Sequence, residues 1–266
     1  MGISTMIKKI SRKRNIEKNI FSLKNKVAIV TGASRGLGKA IALGFLDSGA
    51  KVVLASRDIE KNKKYYGKNS LLINTDVTKN EDLMNLINQT MSKFKKIDIL
   101  VNCAGFTKGK ISQNYSETDW KQTMDTNLNS IFQLCKIVGT KMIKLKNGGS
   151  IINITSIASV LASPKNPAYN ASKGGLSLLT KALAADWAKH NIRVNNLGPG
   201  YFNTELNKNS WNNQRKRKIR SNRTLMKRWG EPNEIIGPAI FLASNASSYV
   251  TGQDIYVDGG FLIKSL

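Results

Sequence analysis

Thr31-Gly32-Ala33-Ser34-Arg35-Gly36-Leu37-Gly38 comes directly after the apolar run Val27-Ala28-Ile29-Val30 and opens an amphipathic stretch from Leu37 to Asp47. A continuous β-branched run predicts a strand buried on both faces of a parallel sheet, and the glycine-rich segment behind it predicts a tight turn and a helix. Glycine at 32, 36 and 38 lets the backbone turn sharply and come close to a bulky anion. The first amides of the new helix add donors and the positive end of a dipole. An α/β sheet holds a dinucleotide pyrophosphate in this way, with Gly32, Ser34, Arg35, Gly36, Leu37 and Gly38 as the expected contacts. The spacing is G-x-x-x-G-x-G rather than G-x-G-x-x-G, and glycine clusters also mark ordinary strand-to-helix turns.

Gly49 is a plausible end to the helix, and Lys51 to Ala55 supplies a second strand that completes a βαβ unit. The residues after that strand bear on cofactor choice. An acidic side chain there would accept hydrogen bonds from the ribose 2′-hydroxyl of NAD, but this chain has Ser56-Arg57, with Arg35 close by in the glycine turn. Guanidinium groups and a hydroxyl suit a 2′-phosphate, which a carboxylate would repel. NADP(H) is therefore favoured over NAD(H), and Asp58 keeps NAD open.

Further strands are expected at Leu71–Asn74, Ile97–Val101, Ser150–Thr155, Arg193–Leu197 and Asp254–Val257, and helices at Asn80–Phe94, about Glu117–Leu145, from Pro167 and near Pro232–Ala243. The alternation predicts a single Rossmann-type doubly wound α/β domain over residues 22–266, a seven-stranded parallel sheet flanked by helices. Ligands in such sheets bind at the carboxyl ends of the strands. Asp76-Val77, beyond the third strand, is expected at the nucleotide base. The small residues of Asn102-Cys103-Ala104-Gly105 leave room for a ligand, with Asn102, Ala104 and Gly105 as candidate contacts, and Pro199-Gly200 forms a corresponding turn.

The chain has 266 residues, with Lys+Arg 42 against Asp+Glu 17, a formal net charge of +25. Such a balance raises nucleic acid, a membrane surface or an acidic metabolite as partners. The lysines are scattered, as on a solvated surface, apart from Lys8-Lys9 to Arg14 and the run Arg215-Lys216-Arg217-Lys218 with Arg220 and Arg223. Residues 1–21 are read as a basic tail, for which a targeting peptide is conceivable. Cys103 and Cys135 form no C-x-x-C or Cys/His cluster, so no disulfide framework or metal site is expected, and a reducing, cytoplasmic setting fits. No apolar run approaches the roughly 18 residues a membrane span needs.

The chemistry is expected at Tyr169 and Lys173. Four apart on a helix, they share one face. A tyrosine titrates near 10, too high for a base at neutral pH, and an adjacent ammonium stabilises its phenolate. Tyr169 could then give a proton to a carbonyl oxygen or take one from an alcohol. Ser156, at the fifth strand's end, could donate a second hydrogen bond to the same oxygen.

The glycine turn at Gly32, the Asn102–Gly105 turn, Asn127, Ser156, the Tyr169/Lys173 pair and the Pro199-Gly200 turn, in this order and spacing, resemble the short-chain dehydrogenases/reductases over about residues 22–264. The resemblance implies that Tyr169 is the general acid/base, that Lys173 holds the nicotinamide ribose and lowers the tyrosine's pKa, and that Ser156 polarises the carbonyl. It implies that Asn127 anchors a proton-relay water and that Thr204 holds the nicotinamide carboxamide. Cys103 and Gly198 depart from the family's commoner residues.

Within the family, His190–Asn195, Pro199–Leu206 and Arg223-Thr224 leading to Arg228–Pro232 are most similar to gluconate 5-dehydrogenases, with the 3-oxoacyl-[acyl-carrier-protein] reductases as runner-up. The likeness implies an acidic carbonyl or hydroxy-acid substrate, a substrate lid at about 201–230 and a homotetramer. A non-catalytic, basic nucleic-acid-binding protein is the contrasting reading. It is disfavoured because Asn127, Ser156, Tyr169 and Lys173 occur together and no interleaved aromatic and basic platform is present. Neither nucleic acid nor membrane is expected as a partner.

Overall fold

The computed structural model describes residues 19–59 and 67–264. The basic cluster Lys8-Lys9 to Arg14 lies outside the described residues. The sheet consists of β1 (Val27–Thr31), β2 (Lys51–Ser56), β3 (Ser70–Asn74), β4 (Ile99–Asn102), β5 (Gly149–Ile154), β6 (Ile192–Pro199) and β7 (Asp254–Val257). Its seven strands lie in the order β3-β2-β1-β4-β5-β6-β7, every pairing parallel. β1 pairs with β2 on one side, Val30 beside Leu54, and with β4 on the other, Val30 beside Val101. The chain's direction across the sheet reverses between these neighbours, which opens a crevice past the ends of β1 and β4.

Among the described residues the helices are α1 (Gly36–Asp47), α2 (Asn80–Phe94), α3 (Glu117–Met124), α4 (Ser130–Leu145), α5 (Pro167–Trp187), α6 (Lys208–Trp211), α7 (Gln214–Asn222) and α8 (Ile236–Ala243). Successive side chains of β1 serve opposite layers, as the pleat requires. Ala28 and Val30 pack with Ile41 and Phe45 of α1 and with Ala239 and Leu242 of α8. Ile29 packs with Leu83 and Leu86 of α2, Leu134 and Val138 of α4, and Leu176 and Leu183 of α5. Both faces of the sheet are therefore dry, which is why its strands read as unbroken apolar runs.

The structure redraws some boundaries. The fourth strand begins at Ile99 rather than Ile97, because Asp98 turns its carboxylate to accept the Val27 amide at 2.8 Å and so anchors the start of β1. The long helical stretch is split into α3 and α4 by a π-helical turn over Asp125–Asn129. Near Pro232 a short 3₁₀ turn, Pro232–Ile235, precedes α8. No helix among the described residues is long and apolar enough to cross a membrane.

Candidate active site

Thr31, the last residue of β1, fixes the crevice. Its hydroxyl accepts the amides of Cys103 at 3.0 Å and Ala104 at 3.2 Å, and it approaches the Val101 carbonyl at 3.4 Å. The two turns are thereby drawn so close that a Cβ at Gly32 would lie 2.9 Å from the Ala104 Cα, and Gly32 itself has φ +66°. At Gly38 a Cβ would fall 2.4 Å from the Gly32 carbonyl oxygen. Glycine is required at both positions by backbone approach, and the result is an open cradle at the start of α1.

A cleft of about 600 Å³ extends from this cradle. The expected residues Ser34, Arg35, Gly36 and Leu37 line it with Gly32 and Gly38, as do Ser56, Arg57, Asp76 and Val77 along one side. Ala104, Gly105, Pro199, Gly200 and Thr204 line it elsewhere, with Ser156, Tyr169 and Lys173. Two buried side-chain oxygens among the described residues have no hydrogen-bond partner, Ser56 Oγ and Thr155 Oγ1, and both residues line this cleft. A buried hydroxyl left unpaired costs about 1–3 kcal/mol, which a polar ligand would relieve. The glycine cradle and the orphaned Ser56 oxygen beside Arg57 fit a phosphorylated dinucleotide. Asp76 stays ionised: burial works against its charge, but the Thr78 hydroxyl and amide, at 2.7 and 3.0 Å, and the field of Arg57 pull its pKa below the ordinary carboxylate value.

Two expected site residues are turned away from the cleft. The Asn102 side chain points back across the sheet, donating to Asn153 Oδ1 at 2.8 Å and approaching Cys135 Sγ at 3.2 Å, and it is Cys103 that lines the cleft. Asn127 sits in the π-helical turn, which rotates its amide toward Phe106. Its Oδ1 accepts the Phe106 amide and its Nδ2 donates to the Phe106 carbonyl, both at 2.8 Å, with Ser172 Oγ at 3.2 Å. Asn127 thus clamps the length of backbone beyond Gly105, with both of its side-chain N–H groups paired within the protein.

Tyr169 and Lys173 face the cleft one turn apart, the Lys173 ammonium 5.7 Å from the tyrosine ring centre. Pro167 begins α5, and Ser172, Lys173, Leu176, Thr180 and Leu183 form its buried stripe. The Lys173 Nζ donates to the Ile154 carbonyl at 2.7 Å, which ties the helix to the end of β5. Ser156, just past that strand, hydrogen-bonds the Tyr169 side chain and accepts the Ala158 amide at 3.1 Å. Burial is the largest cause of the shift at both groups. Burial raises the Tyr169 phenol above its ordinary value, and the Ser156 hydrogen bond offsets only part of that. Burial also lowers Lys173, to about 8. Both groups are pushed toward their neutral forms, so the phenol is held as a proton donor rather than as a ready phenolate. Burial pushes the Cys103 thiol up to about 12, so it offers no thiolate to the cleft.

The cleft also has a wall within the segment where the family likeness places a lid, formed in part by Tyr201, Phe202, Glu205 and Arg220. The aromatic residues Tyr201, Trp211, Trp229 and Phe261 come from distant points of the chain, and their ring centres pack 5.3–5.5 Å apart. Their only sequence signal is the unusual aromatic content of a polar, basic segment. Gly198 is explained by the ring of Tyr256 on β7, which would lie 2.5 Å from a Cβ there. Among the described residues there is no group of three His, Cys, Asp or Glu side chains placed to hold a metal ion.

Residues 32–262 match the family described as enoyl-(acyl carrier protein) reductase. The chain is 36% identical over 250 residues, covering 92% of this chain and 99% of the other, to a 2-dehydro-3-deoxy-D-gluconate 5-dehydrogenase of Dickeya dadantii. It is 38% identical to an NAD-dependent glycerol dehydrogenase of Listeria innocua, over 92% of this chain and 96% of that protein. The crystal structure of a gluconate 5-dehydrogenase from Burkholderia cenocepacia in complex with NADP and tartrate superposes with a TM-score of 0.88 at 36% identity, covering 92% of this chain and 98% of the other. The cradle, the cleft and the Ser156, Tyr169 and Lys173 side chains are thus found in a chain that belongs to the short-chain dehydrogenase/reductase family, and the protein is an NAD(P)-dependent oxidoreductase acting on CH–OH groups.

Proposed function

We propose that the protein reduces a polyhydroxy keto acid of the 5-ketogluconate kind to the hydroxy acid, using NADPH. The observation that carries the reaction is the convergence of Ser156 and a protonated Tyr169 on one cleft with the glycine cradle. The substrate reading rests on the likeness to sugar-acid dehydrogenases over nearly the whole chain. In this reading the amides of Gly32 to Gly38 would hold the pyrophosphate, and Ser56, Arg57 and Arg35 the 2′-phosphate. Asp76 and Val77 would flank the base, Lys173 would hold the ribose and Thr204 the carboxamide.

When bound, the nicotinamide supplies the hydride that the carbonyl carbon accepts. The chain's own residues handle the oxygen. Ser156 orients and polarises it, and Tyr169 transfers its hydroxyl proton to it as negative charge develops. Lys173, held by the Ile154 carbonyl, keeps a positive charge beside the ring from which the proton leaves. Asn127 acts at one remove by fixing the Phe106 backbone on the cleft's rim.

The NADP choice rests on Ser56-Arg57 and Arg35, and the Burkholderia structure contains NADP, whereas the Listeria relative is NAD-dependent. Titration by fluorescence should show NADPH bound more tightly than NADH, with the difference lost in Arg57→Ala. Equal affinities would contradict it. By family likeness the assembly is a homotetramer, and α5 leaves Leu178 70% exposed, as a helix covered by a second copy would. Light scattering that finds a monomer would refute this part.

The acyl carrier reading shares the catalytic residues and has the matched family's description in its favour. The two substrates differ in reach. A small sugar acid pairs its carboxylate with one or two side chains inside the cleft, whereas carrier-protein docking spreads over many surface charges and weakens steeply with salt. Parallel NADPH-oxidation assays with 5-ketogluconate and an acetoacetyl thioester, across a salt series, should show salt-tolerant turnover of the keto acid. Turnover of the thioester alone would promote the acyl reductase.

A further inference from the structure

Six basic residues lie between Arg215 and Arg223, and of these only Arg220 lines the cleft. Its guanidinium carbon lies 4.4 Å from the centre of the Tyr201 ring and 5.8 Å from that of Trp229. Tyr201 and Trp229 brace one another at 5.3 Å, and Trp229, 4% exposed, donates its indole N–H to the Arg217 carbonyl at 3.3 Å, which fastens the stack to α7. The neighbouring arginines are spent elsewhere, Arg217 on the Trp211 ring at 5.1 Å and Arg223 on Phe261 at 4.7 Å, and neither lines the cleft.

Stacking on an aromatic face fixes a guanidinium's plane while leaving its N–H groups along the edge for an anion. Among the described residues, Arg220 has no carboxylate in ion-pair contact and no side-chain hydrogen bond. Glu205, the acid on the same wall, approaches Lys208 at 3.7 Å. Tyr201, under Arg220, lines the cleft together with Ser156 and Tyr169, whereas Arg57 lies near enough to Asp76 to act on its charge. Arg220 therefore stands on the wall of the cleft that Tyr201 forms, and Arg57 on the side that Ser56, Asp76 and Val77 form.

We infer that Arg220, held over the Tyr201 ring with Trp229 beside it, is the residue that takes the substrate's carboxylate, so that the cleft selects a ketone that carries a carboxylate. This rests on the sugar-acid reading above. A neutral acyl thioester offers this guanidinium no carboxylate to pair with. A bidentate guanidinium–carboxylate contact is among the stronger hydrogen-bonded pairs, and it sets orientation as well as affinity.

Arg220→Met keeps an unbranched chain over the rings and removes the charge. Quenching of tryptophan fluorescence in the NADP complex would give the affinity for D-gluconate and for its neutral counterpart D-glucitol, and steady-state reduction of 5-ketogluconate would give KM and kcat. Arg220→Met should weaken gluconate binding and raise KM by about 30-fold or more, with glucitol affinity unchanged and kcat changed less than KM. Arg217→Met and Arg223→Met should leave all three readings near wild type. If Arg220→Met leaves gluconate binding within about twofold, or weakens glucitol equally, the inference falls while the sugar-acid reading stands. If the wild-type protein turns over the thioester and not the keto acid, the sugar-acid reading falls and the inference with it.

Discussion

Lys173 shows how a single side chain can serve one purpose at the expense of another. Burial lowers its pKa from 10.5 to about 8, so between those values the unfolded chain binds a proton that the folded chain does not. Stability then rises with pH across that window, and below it the buried ammonium is a standing cost. Chemical denaturation of wild type and Lys173→Met should show the wild type gaining up to roughly 3 kcal/mol on the variant between about pH 8 and 10.5. A difference that does not change with pH would mean that Lys173 is not the buried base described here. The same shift predicts that ketone reduction declines as pH rises through about 8, since the charge beside Tyr169 is lost there. A kcat/KM for NADPH that is flat from pH 7 to 9 would contradict this. The Tyr169/Lys173 spacing made the pair legible in the sequence, but not the sign of the phenol's shift, which is set by burial among residues far apart in the chain.

Elements are placed by a buried polar chain that crosses the sheet. Asn102 of β4 donates to Asn153 of β5, Asn153 to Thr180 of α5 at 2.8 Å, Thr180 to Asn196 of β6 at 2.7 Å, and Asn196 to Asp254 of β7 at 2.8 Å. The chain holds α5, and with it Tyr169 and Lys173, at a fixed height over the strand ends. Thr180→Val keeps the shape and removes both of its hydrogen bonds, leaving the Asn153 and Asn196 amides short of partners in a dry layer. It should cost roughly 2–4 kcal/mol in urea unfolding, and a loss under about 0.5 kcal/mol would show that the chain does not hold the layer together. None of these pairings was legible from spacing, because each joins residues of different elements. The π-helical turn at Asp125–Asn129 was hidden for another reason, since a single-residue insertion into a helix leaves the apolar periodicity on either side nearly intact.

Across the molecule, the seven strands, their all-parallel pairing and the crevice where β1 meets β4 were legible as apolar runs alternating with helical patterns. The glycine cradle was legible because backbone approach leaves few alternatives to glycine, as the 2.4 Å clash at Gly38 illustrates. The family likeness placed a lid at about 201–230, but the stacking of Tyr201, Trp229 and Arg220 within it was not legible, because it assembles three segments around a ring stack that has no fixed spacing. Cradle, cleft and wall together are proposed to reduce a keto acid with Tyr169 as the proton donor. Rapid-mixing measurement of NADPH oxidation by 5-ketogluconate, in wild type and in Tyr169→Phe with both proteins saturated by cofactor, puts that proposal at risk in one experiment. The expected result is turnover by the wild type and a loss on the order of 10²–10⁴ in Tyr169→Phe with cofactor affinity preserved. Near-native rates in Tyr169→Phe, or no oxidation by the wild type, would contradict it.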